Sequence, residues 1–416
     1  MTLKKHSKLI LAGLIGNVLE WYDFSVYGYF AVVFASKFFP SDDPAISLIQ
    51  SFGAFAAGFL MRPVGAAFFG HIGDHHGRKK ALSLSIFFMA FPTLLIGILP
   101  GYDTIGILAP ILLVLLRMLQ GLSVGGEYTS SIVYLSESAP KGKRGLFSSA
   151  ALIGGFAGIL LGSLVGSFIM GFLSVEQVHA WGWRLPFLMG VPLAFFGFYI
   201  RRKMPETMIA DKNAKKPLAH VHRNWKGIMM VSGLNVLSAV SFYAVFIFMS
   251  TWLQNYVHIS HSLELQINSY CMVVLMIVAP VAAWISDKVG RKPVLIAASL
   301  ALMLFAYPLI SLMHHQNTLM ILTGQTCLSI IIGSYMGIIP SVLSEMFPKK
   351  TRVSSVGLGY NITYAILGGT APVIAMWVIH KTNNEISFAW LIVLAASISF
   401  ITALFIKEYS QNDMHD

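Results

Sequence analysis

Apolar residues occur in long runs along almost the whole chain, and short polar connections separate one run from the next. The runs match or exceed the roughly 20 residues that a helix needs to cross a bilayer. Twelve such segments cover residues 8–38, 47–72, 81–100, 104–138, 145–173, 183–201, 227–257, 264–286, 294–313, 317–346, 354–380 and 387–406. This pattern predicts an all-α membrane protein with twelve transmembrane helices.

The amino-acid composition also indicates a protein that lies largely in a lipid bilayer. Hydrophobic residues make up 56% of it and charged residues 11%, whereas soluble domains carry roughly 25% charged residues. So much apolar surface is expected to contact the acyl chains of a bilayer.

The net charge of +11 could indicate a nucleic-acid partner, but the positions of the basic residues argue against one. Lys and Arg concentrate in alternate connections. One set carries 24 of them, including Arg201 after helix six, and the other carries only Lys37, Arg184 and Lys381. Because connections rich in Lys and Arg stay in the cytoplasm, both termini are expected to be cytoplasmic.

A short motif, Asp-x-x-Gly-Arg-Lys, occurs twice. Its residues correspond at a constant offset of 213: Asp74, Gly77, Arg78 and Lys79 match Asp287, Gly290, Arg291 and Lys292. A second repeat, Leu-Ser-Glu, ends at Glu137 and again at Glu345, an offset of 208. Internal repetition in an apolar chain is typical of transporters that consist of two related halves. We therefore expect two pseudo-symmetric six-helix bundles, residues 1–201 and 227–416, joined by a cytoplasmic linker at 202–226.

Three further stretches complete a family pattern: GNVLEWYDF at residues 16–24, RPVG at 62–65 and RMLQGLSVGGE at 117–127. Together with the doubled motif, they make the whole chain resemble the major facilitator superfamily. Within it the chain is similar to the metabolite:proton symporters, which include transporters for proline and betaine, α-ketoglutarate, citrate and shikimate.

This resemblance implies a secondary active transporter, not an enzyme, that works by alternating access without a cofactor. It implies proton-coupled symport of a small organic acid or zwitterionic metabolite. The alternative is a proton-coupled exporter of a metabolite, drug or siderophore. The 13 histidines show no metal-ligand spacing, so no metal site is expected. Short loops suit a bacterial inner membrane, and we expect a monomer.

Charged residues inside the predicted helices are the candidate chemistry. A charge near the bilayer centre costs roughly 2.5–3.5 kcal/mol on insertion scales, so it should face the protein interior and have a partner. With a rise of roughly 1.5 Å per residue, Glu20, Arg62 and Glu127 fall at a similar depth, and Arg117 falls nearer Asp23. We hypothesise that one of three acids carries the coupled proton and that two arginines bind an anionic substrate group. The acids are Glu20, Asp23 and Glu127, and the arginines are Arg62 and Arg117. The competing interpretation is a set of permanent ion pairs between helices.

Neutral polar residues are expected to complement these charges. The candidate substrate-binding residues of this kind are Tyr27, Asn235, Tyr243, Tyr360, Asn361 and Tyr364. Aromatic rings can bind a quaternary ammonium group, which keeps betaine-like zwitterions among the candidate substrates. For each residue alone, helix packing is the competing interpretation.

The resemblance also implies that the doubled motif forms a gate at the cytoplasmic surface. The candidate gating residues are Asp74, Arg78, Arg144, Asp287, Arg291 and Arg352. A carboxylate is favoured at the N-terminal end of a helix. By resemblance, Asp74 would meet the start of helix eleven near Arg352, and Asp287 the start of helix five near Arg144. The Arg and Lys residues that follow each motif glycine are expected at the level of the lipid phosphates, and the competing interpretation is a topology signal alone.

Overall fold

Helices make up nearly all of the part of the chain that the structure describes, residues 3–206 and 224–410. In this computed structural model, the α-helices are α1 (Leu3–Tyr29), α2 (Ala31–Phe38), α3 (Pro44–Leu60), α4 (Arg62–His76), α5 (Arg78–Ile98), α6 (Tyr102–Ile105), α7 (Leu108–Ser138), α8 (Arg144–Phe172), α9 (Val175–Gln177), α10 (Arg184–Arg202), α11 (Trp225–Phe242), α12 (Met249–Asn255), α13 (His261–Val289), α14 (Arg291–Met313), α15 (Thr318–Glu345), α16 (Arg352–Thr363), α17 (Ala371–Thr382) and α18 (Ala389–Phe405). No strand occurs among the described residues. The prediction of an all-α chain is therefore confirmed for them, and residues 207–223 of the predicted linker lie outside them.

Short π-helical segments interrupt three of the longer helical stretches. They are Val178–Gly182 before α10, Tyr243–Phe248 between α11 and α12, and Tyr364–Gly368 after α16. π-Helical segments are frequent at functional sites. Two of the three begin at tyrosines that are candidate substrate-binding residues.

Ten helical stretches of the described residues are long and apolar enough to cross a bilayer. An eleventh results if Val175–Gly182 and Arg184–Arg202, which bend by 49° at their junction, cross as one span. The helix α18 is apolar but has only 17 residues. These lengths fit a multi-pass helical membrane protein, while the count of twelve spans stays a prediction.

The described helices pack into two compact units. The first comprises the described residues of 1–138 and 153–219, and the second those of 139–152 and 220–416. In the first unit, α7 packs against α1, α3, α4 and α5, while α10 packs against α1 and α5. In the second unit, α15 packs against α13 and α14, and α18 packs against α11 and α14. The first turns of α8 belong to the second unit.

Glycines allow α4 and α7 of the first unit to approach each other closely. Gly125 lies against the carbonyl group of Arg62, and Gly65 lies against the backbone of Leu122. Because a Cβ atom at either glycine would collide with backbone atoms, this crossing depends on residues without a side chain. The crossing holds Arg62 next to α7.

The two copies of the Asp-x-x-Gly-Arg-Lys motif fold in the same way. Gly77 has a φ of 102° and Gly290 a φ of 103°, a backbone region that glycine adopts readily and other residues rarely do. Each glycine ends one helix, α4 or α13, and the next helix begins at the following residue. The motif glycines are therefore required by the sharp reversal of the chain.

Candidate functional site

An ion pair inside the first unit joins α1 to α7. Arg117 Nη1 lies 2.8 Å from Asp23 Oδ2, and each side chain is 1% exposed. The guanidinium carbon of Arg117 lies 3.9 Å from the centre of the Tyr27 ring. The Tyr27 hydroxyl donates to the carbonyl oxygen of Ser51 at 2.9 Å. Cation–π attraction to a ring that is itself anchored therefore holds Arg117 in place.

Two neutral polar residues extend this ion pair. The Thr93 hydroxyl donates to Asp23 Oδ1 at 2.8 Å, and Gln120 Nε2 donates to the Thr93 hydroxyl at 2.8 Å. A small cavity that also borders Tyr22 and Met89 reaches the same carboxylate. Asp23 is thus bonded on both oxygens and borders a cavity of about 10 Å³, which is about the space of one water molecule.

Arg117 has hydrogen-bonding capacity that the described residues do not use. Its Nε and Nη2 atoms are buried and have no hydrogen-bond partner among those residues. Buried polar groups are normally paired, and a guanidinium group can donate two parallel hydrogen bonds to a carboxylate. The Nε–Nη2 edge is therefore chemically suited to a carboxylate of a small molecule.

Glu20 is the second candidate acid of α1. It is 1% exposed, and neither of its oxygens accepts a hydrogen bond from the described residues. Charges on Arg62, Glu127 and Arg201 act on it, and the Arg62 guanidinium packs over the Phe59 ring at 5.4 Å. Since an ionised carboxylate buried without hydrogen bonds is costly, a bound proton relieves that cost.

The third candidate acid, Glu127, pairs with an arginine that the sequence pattern assigns to a cytoplasmic connection. Arg201 Nη1 lies 2.9 Å from Glu127 Oε2, Nη2 pairs with the other oxygen, and the Ser85 hydroxyl donates to Glu127 as well. Arg201 is fully buried. Arg201 therefore lies in the interior of the first unit, because a buried carboxylate on α7 faces the last turn of α10.

The sequence does contain a signal for the burial of Arg201. The positions Phe187, Gly190, Ala194, Gly197 and Arg201 of α10 are buried, and they follow one another at intervals of three or four residues. This spacing marks one face of a helix. Most residues on this face are small, and Arg201 is the next position along it. The spacing could therefore have identified Arg201 as an interior residue.

A polar stripe runs along α11 in the second unit. Asn235 Nδ2 donates to the Val231 carbonyl oxygen at 2.8 Å. The Asn235 Oδ1 atom and the hydroxyls of Ser238 and Ser241 are buried and have no hydrogen-bond partner among the described residues. Three unpaired oxygens along one helix are suited to hydrogen bonds with a ligand.

Three candidate tyrosines lie close together in the second unit. The rings of Tyr360 and Tyr364 stack with their centroids 4.3 Å apart, and Gly368 lies against the ring of Tyr243. All three tyrosines are buried. Asn361 Nδ2 donates to a carbonyl oxygen of its own helix at 2.9 Å. Two of the π-helical segments, Tyr243–Phe248 and Tyr364–Gly368, thus begin at tyrosines of this cluster.

Four of the candidate gating residues lie in the second unit, and Asp287 contacts the start of α8. Its oxygens accept hydrogen bonds from the backbone N–H groups of Gly145 at 2.8 Å and Leu146 at 3.0 Å. Arg144, one residue earlier, lies 3.3 Å from Glu345. The carboxylate of Asp287 therefore occupies the electrostatically favourable N-terminal end of a helix.

The arginine of each repeated motif is buried. Arg78 lies 3.0 Å from Asp74 and 3.1 Å from Glu137. Its counterpart Arg291 pairs with the corresponding two carboxylates at 2.8 and 3.0 Å. Two carboxylates thus compensate for the burial of each charge, while the expected depth of these arginines at the lipid phosphates stays a prediction.

Arg352, the remaining candidate gating residue, is buried at the start of α16. Its Nε donates to the carbonyl oxygen of Phe347 at 3.1 Å. The expected approach of Asp74 to Arg352 stays a prediction.

Comparison with known families and proteins gives consistent matches over the whole chain. The family model for the Major Facilitator Superfamily matches residues 13–372 and 231–412. The chain is 34% identical to the glycine betaine/proline/ectoine/pipecolic acid transporter of Dickeya dadantii, over 96% of this chain and 83% of that protein. It is 36% identical to the alpha-ketoglutarate permease of Escherichia coli, over 95% of this chain and 92% of that protein.

Solved structures show the same fold at lower identity. The proton:xylose symporter XylE bound to 6-bromo-6-deoxy-D-glucose matches with a TM-score of 0.81 and 16% identity, over 100% of this chain and 98% of that one. A double Trp mutant of the same symporter matches with a TM-score of 0.83 and 15% identity, over 99% and 98%. At these identities the likeness concerns the fold alone.

Proposed function

The chain belongs to the major facilitator superfamily, and on this premise we propose that it is a proton-coupled symporter of a small zwitterionic or organic-acid metabolite. Membership of the family, which the sequence motifs predict, makes it a membrane transporter and not an enzyme. We propose twelve spans in two six-helix bundles, residues 1–201 and 227–416, with the linker 202–226 and both termini in the cytoplasm. We propose a monomer in the bacterial inner membrane.

The observation that carries this proposal is the pairing of Asp23 with an arginine that keeps one donor edge unused. When a substrate carboxylate binds Arg117, it competes with Asp23 for the guanidinium group. An Asp23 carboxylate that loses its cation in a buried site is stabilised by a proton. Substrate and proton would then be bound together, and the two would leave together when Arg117 returns to Asp23.

Coupling of this kind requires that the two binding events depend on conformation. A ligand shifts a conformational equilibrium only by its difference in affinity for the two states. Helix α1 carries both Asp23 and Glu20, so a movement of α1 against α7 would change the surroundings of both acids. We therefore propose that Asp23 is the acid coupled to substrate and that Glu20 is a second proton-binding group.

The chemical class of the substrate follows from the groups that would recognise it. The relatives are named for glycine betaine, proline, ectoine, pipecolic acid and α-ketoglutarate, and each of these compounds carries a carboxylate. Arg117 and Arg62 of the first unit are the candidate carboxylate-binding residues. The tyrosine rings of the second unit are, taken by themselves, candidate faces for a cationic group. We propose a carboxylate-bearing metabolite, which includes zwitterions.

We also propose that the buried ion pairs of the repeated motif act as a gate. The residues concerned are Asp74, Arg78, Arg144, Asp287, Arg291 and Arg352. Hydrogen bonds between Asp287 and the first N–H groups of α8 are local and reversible contacts, so they can break and re-form in a transport cycle without loss of the fold. The competing role is a topology signal without gating.

A binding and exchange experiment tests this function. Purified protein is screened for thermal stabilisation by glycine betaine, proline and α-ketoglutarate, and the best ligand is used for counterflow in proteoliposomes. We expect stabilisation and counterflow by a carboxylate-bearing ligand, and no effect of its amide or ester. Ligand binding that is equally strong without the carboxylate would contradict the proposal. Accumulation of the ligand under a proton gradient directed out of the vesicle lumen, and not under one directed into it, would indicate proton antiport and favour the export alternative.

A further inference from the structure

The Glu127–Arg201 pair differs from the Asp23–Arg117 pair in how completely its groups are bonded. Both Glu127 oxygens contact the Arg201 guanidinium, and one of them also accepts from Ser85. Arg201 in turn donates from Nε to the carbonyl oxygen of Ala12 at 3.1 Å and from Nη1 to that of Leu82. The guanidinium group therefore has partners on α1, α5 and α7 at once.

The surrounding backbone is shaped to fit this pair. Gly16 of α1 lies directly against the Glu127 carboxylate and the Arg201 guanidinium, so a Cβ at this position would overlap both groups. Glu127 is 2% exposed and Arg201 is fully buried. A buried ion pair is favourable only when further hydrogen bonds satisfy both partners, and these contacts meet that requirement.

The pair also acts on the acid beside it. Arg62, Glu127 and Arg201 are the charged groups that act on Glu20, which has no hydrogen-bond donor among the described residues. With Arg201 in place, the charge of Glu127 is balanced locally. Without Arg201, Glu20 and Glu127 would be two neighbouring acids that share one site, and each would influence the protonation of the other.

We infer that Arg201 is a positioning residue that holds Glu127 in a permanent ion pair and so removes it from proton exchange, which leaves proton binding to the acids of α1. This inference rests on the proposed function. The sequence offers all three acids equally as carriers of the coupled proton. By this inference, Asp23 and Glu20 exchange protons during transport, and Glu127 does not. The pair then serves as a fixed anchor for the last turn of α10 against α1, α5 and α7.

A double-mutant cycle tests the inference. The variants are Arg201→Gln, Glu127→Gln, Glu127→Gln/Arg201→Gln and the conservative Arg201→Lys, each measured for thermal unfolding and for the pH dependence of transport in proteoliposomes. We expect Arg201→Gln to lower the unfolding temperature and to displace the pH profile, because it leaves a buried carboxylate unpaired. The double variant should recover most of the lost stability and the parental pH profile, and Arg201→Lys should lie between Arg201→Gln and the parent.

Two results would overturn it. The first is a double variant that binds and exchanges substrate but no longer moves protons with it, which would make Glu127 a proton carrier. The second is an Arg201→Gln protein with the parental stability and pH profile. If the double variant does not fold, the unfolding temperatures of Arg201→Lys and Arg201→Gln are compared instead. An equal decrease in both variants would contradict a role of the positive charge, because only Arg201→Lys retains that charge. Failure of the proposed function is recognised separately, because the parent itself would then transport substrate without protons.

Discussion

Two arginines of the first unit show how differently one residue type can be used inside a membrane protein. Arg201 donates from all three of its nitrogens, to carbonyl groups and to both oxygens of Glu127. Arg117 has Asp23 as its hydrogen-bond acceptor among the described residues, and two of its nitrogens are unpaired there. The first pattern fits the structural anchor that we propose for Arg201, and the second fits the binding group that we propose for Arg117.

A conservative substitution separates the shape of Arg117 from its charge. We expect Arg117→Lys to remain folded, because an ammonium group can still pair with Asp23. The substitution removes the planar donor edge and the stacking on Tyr27. Loss of a charge-assisted hydrogen bond costs about 1.5–3 kcal/mol, so substrate affinity should fall roughly tenfold or more. Titration of the purified variant with the stabilising ligand measures this.

Arg202→Lys is the matched control, since Arg202 is exposed at the end of α10. Its affinity should equal that of the parent. If Arg117→Lys also binds like the parent, Arg117 does not contact the substrate.

At the scale of the helices, close backbone approach decides where side chains meet. The sequence shows glycines in several predicted helices, but their numbers do not reveal which of them lie at a crossing. In the structure, α4 and α7 cross at Gly65 and Gly125. Other glycines, such as Gly28 and Gly53, have no neighbouring atom within 4 Å of the point that a Cβ would occupy. Glycines at a crossing are therefore expected to be more sensitive to substitution than Gly28 or Gly53.

The crossing of α4 and α7 can be tested with two alanine substitutions. Gly125→Ala places a methyl group against the Arg62 carbonyl oxygen, so we expect a loss of about 1–3 kcal/mol of unfolding free energy. Gly53→Ala meets no neighbour and lies within α3, where alanine is favoured over glycine by about 0.5–1 kcal/mol. Thermal unfolding in detergent measures both, and equal effects would contradict the crossing.

Two hydrogen bonds, both donated by Lys292, tie α14 to the end of α18 and to the residues that follow it. The Lys292 ammonium donates to the carbonyl oxygen of Leu404 at 2.6 Å, and the Lys292 backbone N–H donates to the Glu408 carboxylate at 2.9 Å. Burial by itself raises the pKa of Glu408, but hydrogen bonds from the backbone of Lys292 and Arg291 outweigh it and hold this pKa below its ordinary value. The charged form of Glu408 is therefore stabilised by the fold.

The sign of the pH dependence follows from this lowered pKa. A carboxyl group whose pKa is lower in the folded state adds stability above its unfolded pKa, about 4.3 for Glu, and loses it as the pH falls further. We expect Glu408→Gln to unfold at a lower temperature than the parent near neutral pH, and the two proteins to converge in acid. The exposed Asp42→Asn serves as the control. A Glu408→Gln deficit that is constant with pH would contradict the role of the charged carboxylate.

At the scale of the whole molecule, the apolar pattern predicts the helical class and the doubled motif predicts the family, because both are local features of the sequence. Charge pairing is not local. Arg78, Arg201 and Arg291 all lie beside apolar runs and are typical of surface positions in sequence, yet each is buried against carboxylates from other helices. Their partners lie 54 to 74 residues away, so only the packed helices bring them together.

Five charged residues inside the predicted helices of the first half are the most informative part of the sequence for the candidate site. The sequence predicts that Glu20, Asp23, Arg62, Arg117 and Glu127 are interior groups, and all five are buried. Their pairing is not predictable in the same way, because depth along a helix does not say which face a side chain occupies. The structure pairs Asp23 with Arg117 and Glu127 with Arg201, and the different roles that we propose for the three acids rest on these pairs.

The most direct test is the measurement of proton movement that substrate alone causes. Parent protein is reconstituted in vesicles without any ion or voltage gradient, and external pH is followed when the stabilising ligand is added. We expect the medium to become alkaline as substrate enters. Asp23→Asn should abolish this change and retain counterflow. Substrate that enters parent vesicles with no change in external pH, or an Asp23→Asn protein that still moves protons with substrate, would contradict coupling through the Asp23–Arg117 pair.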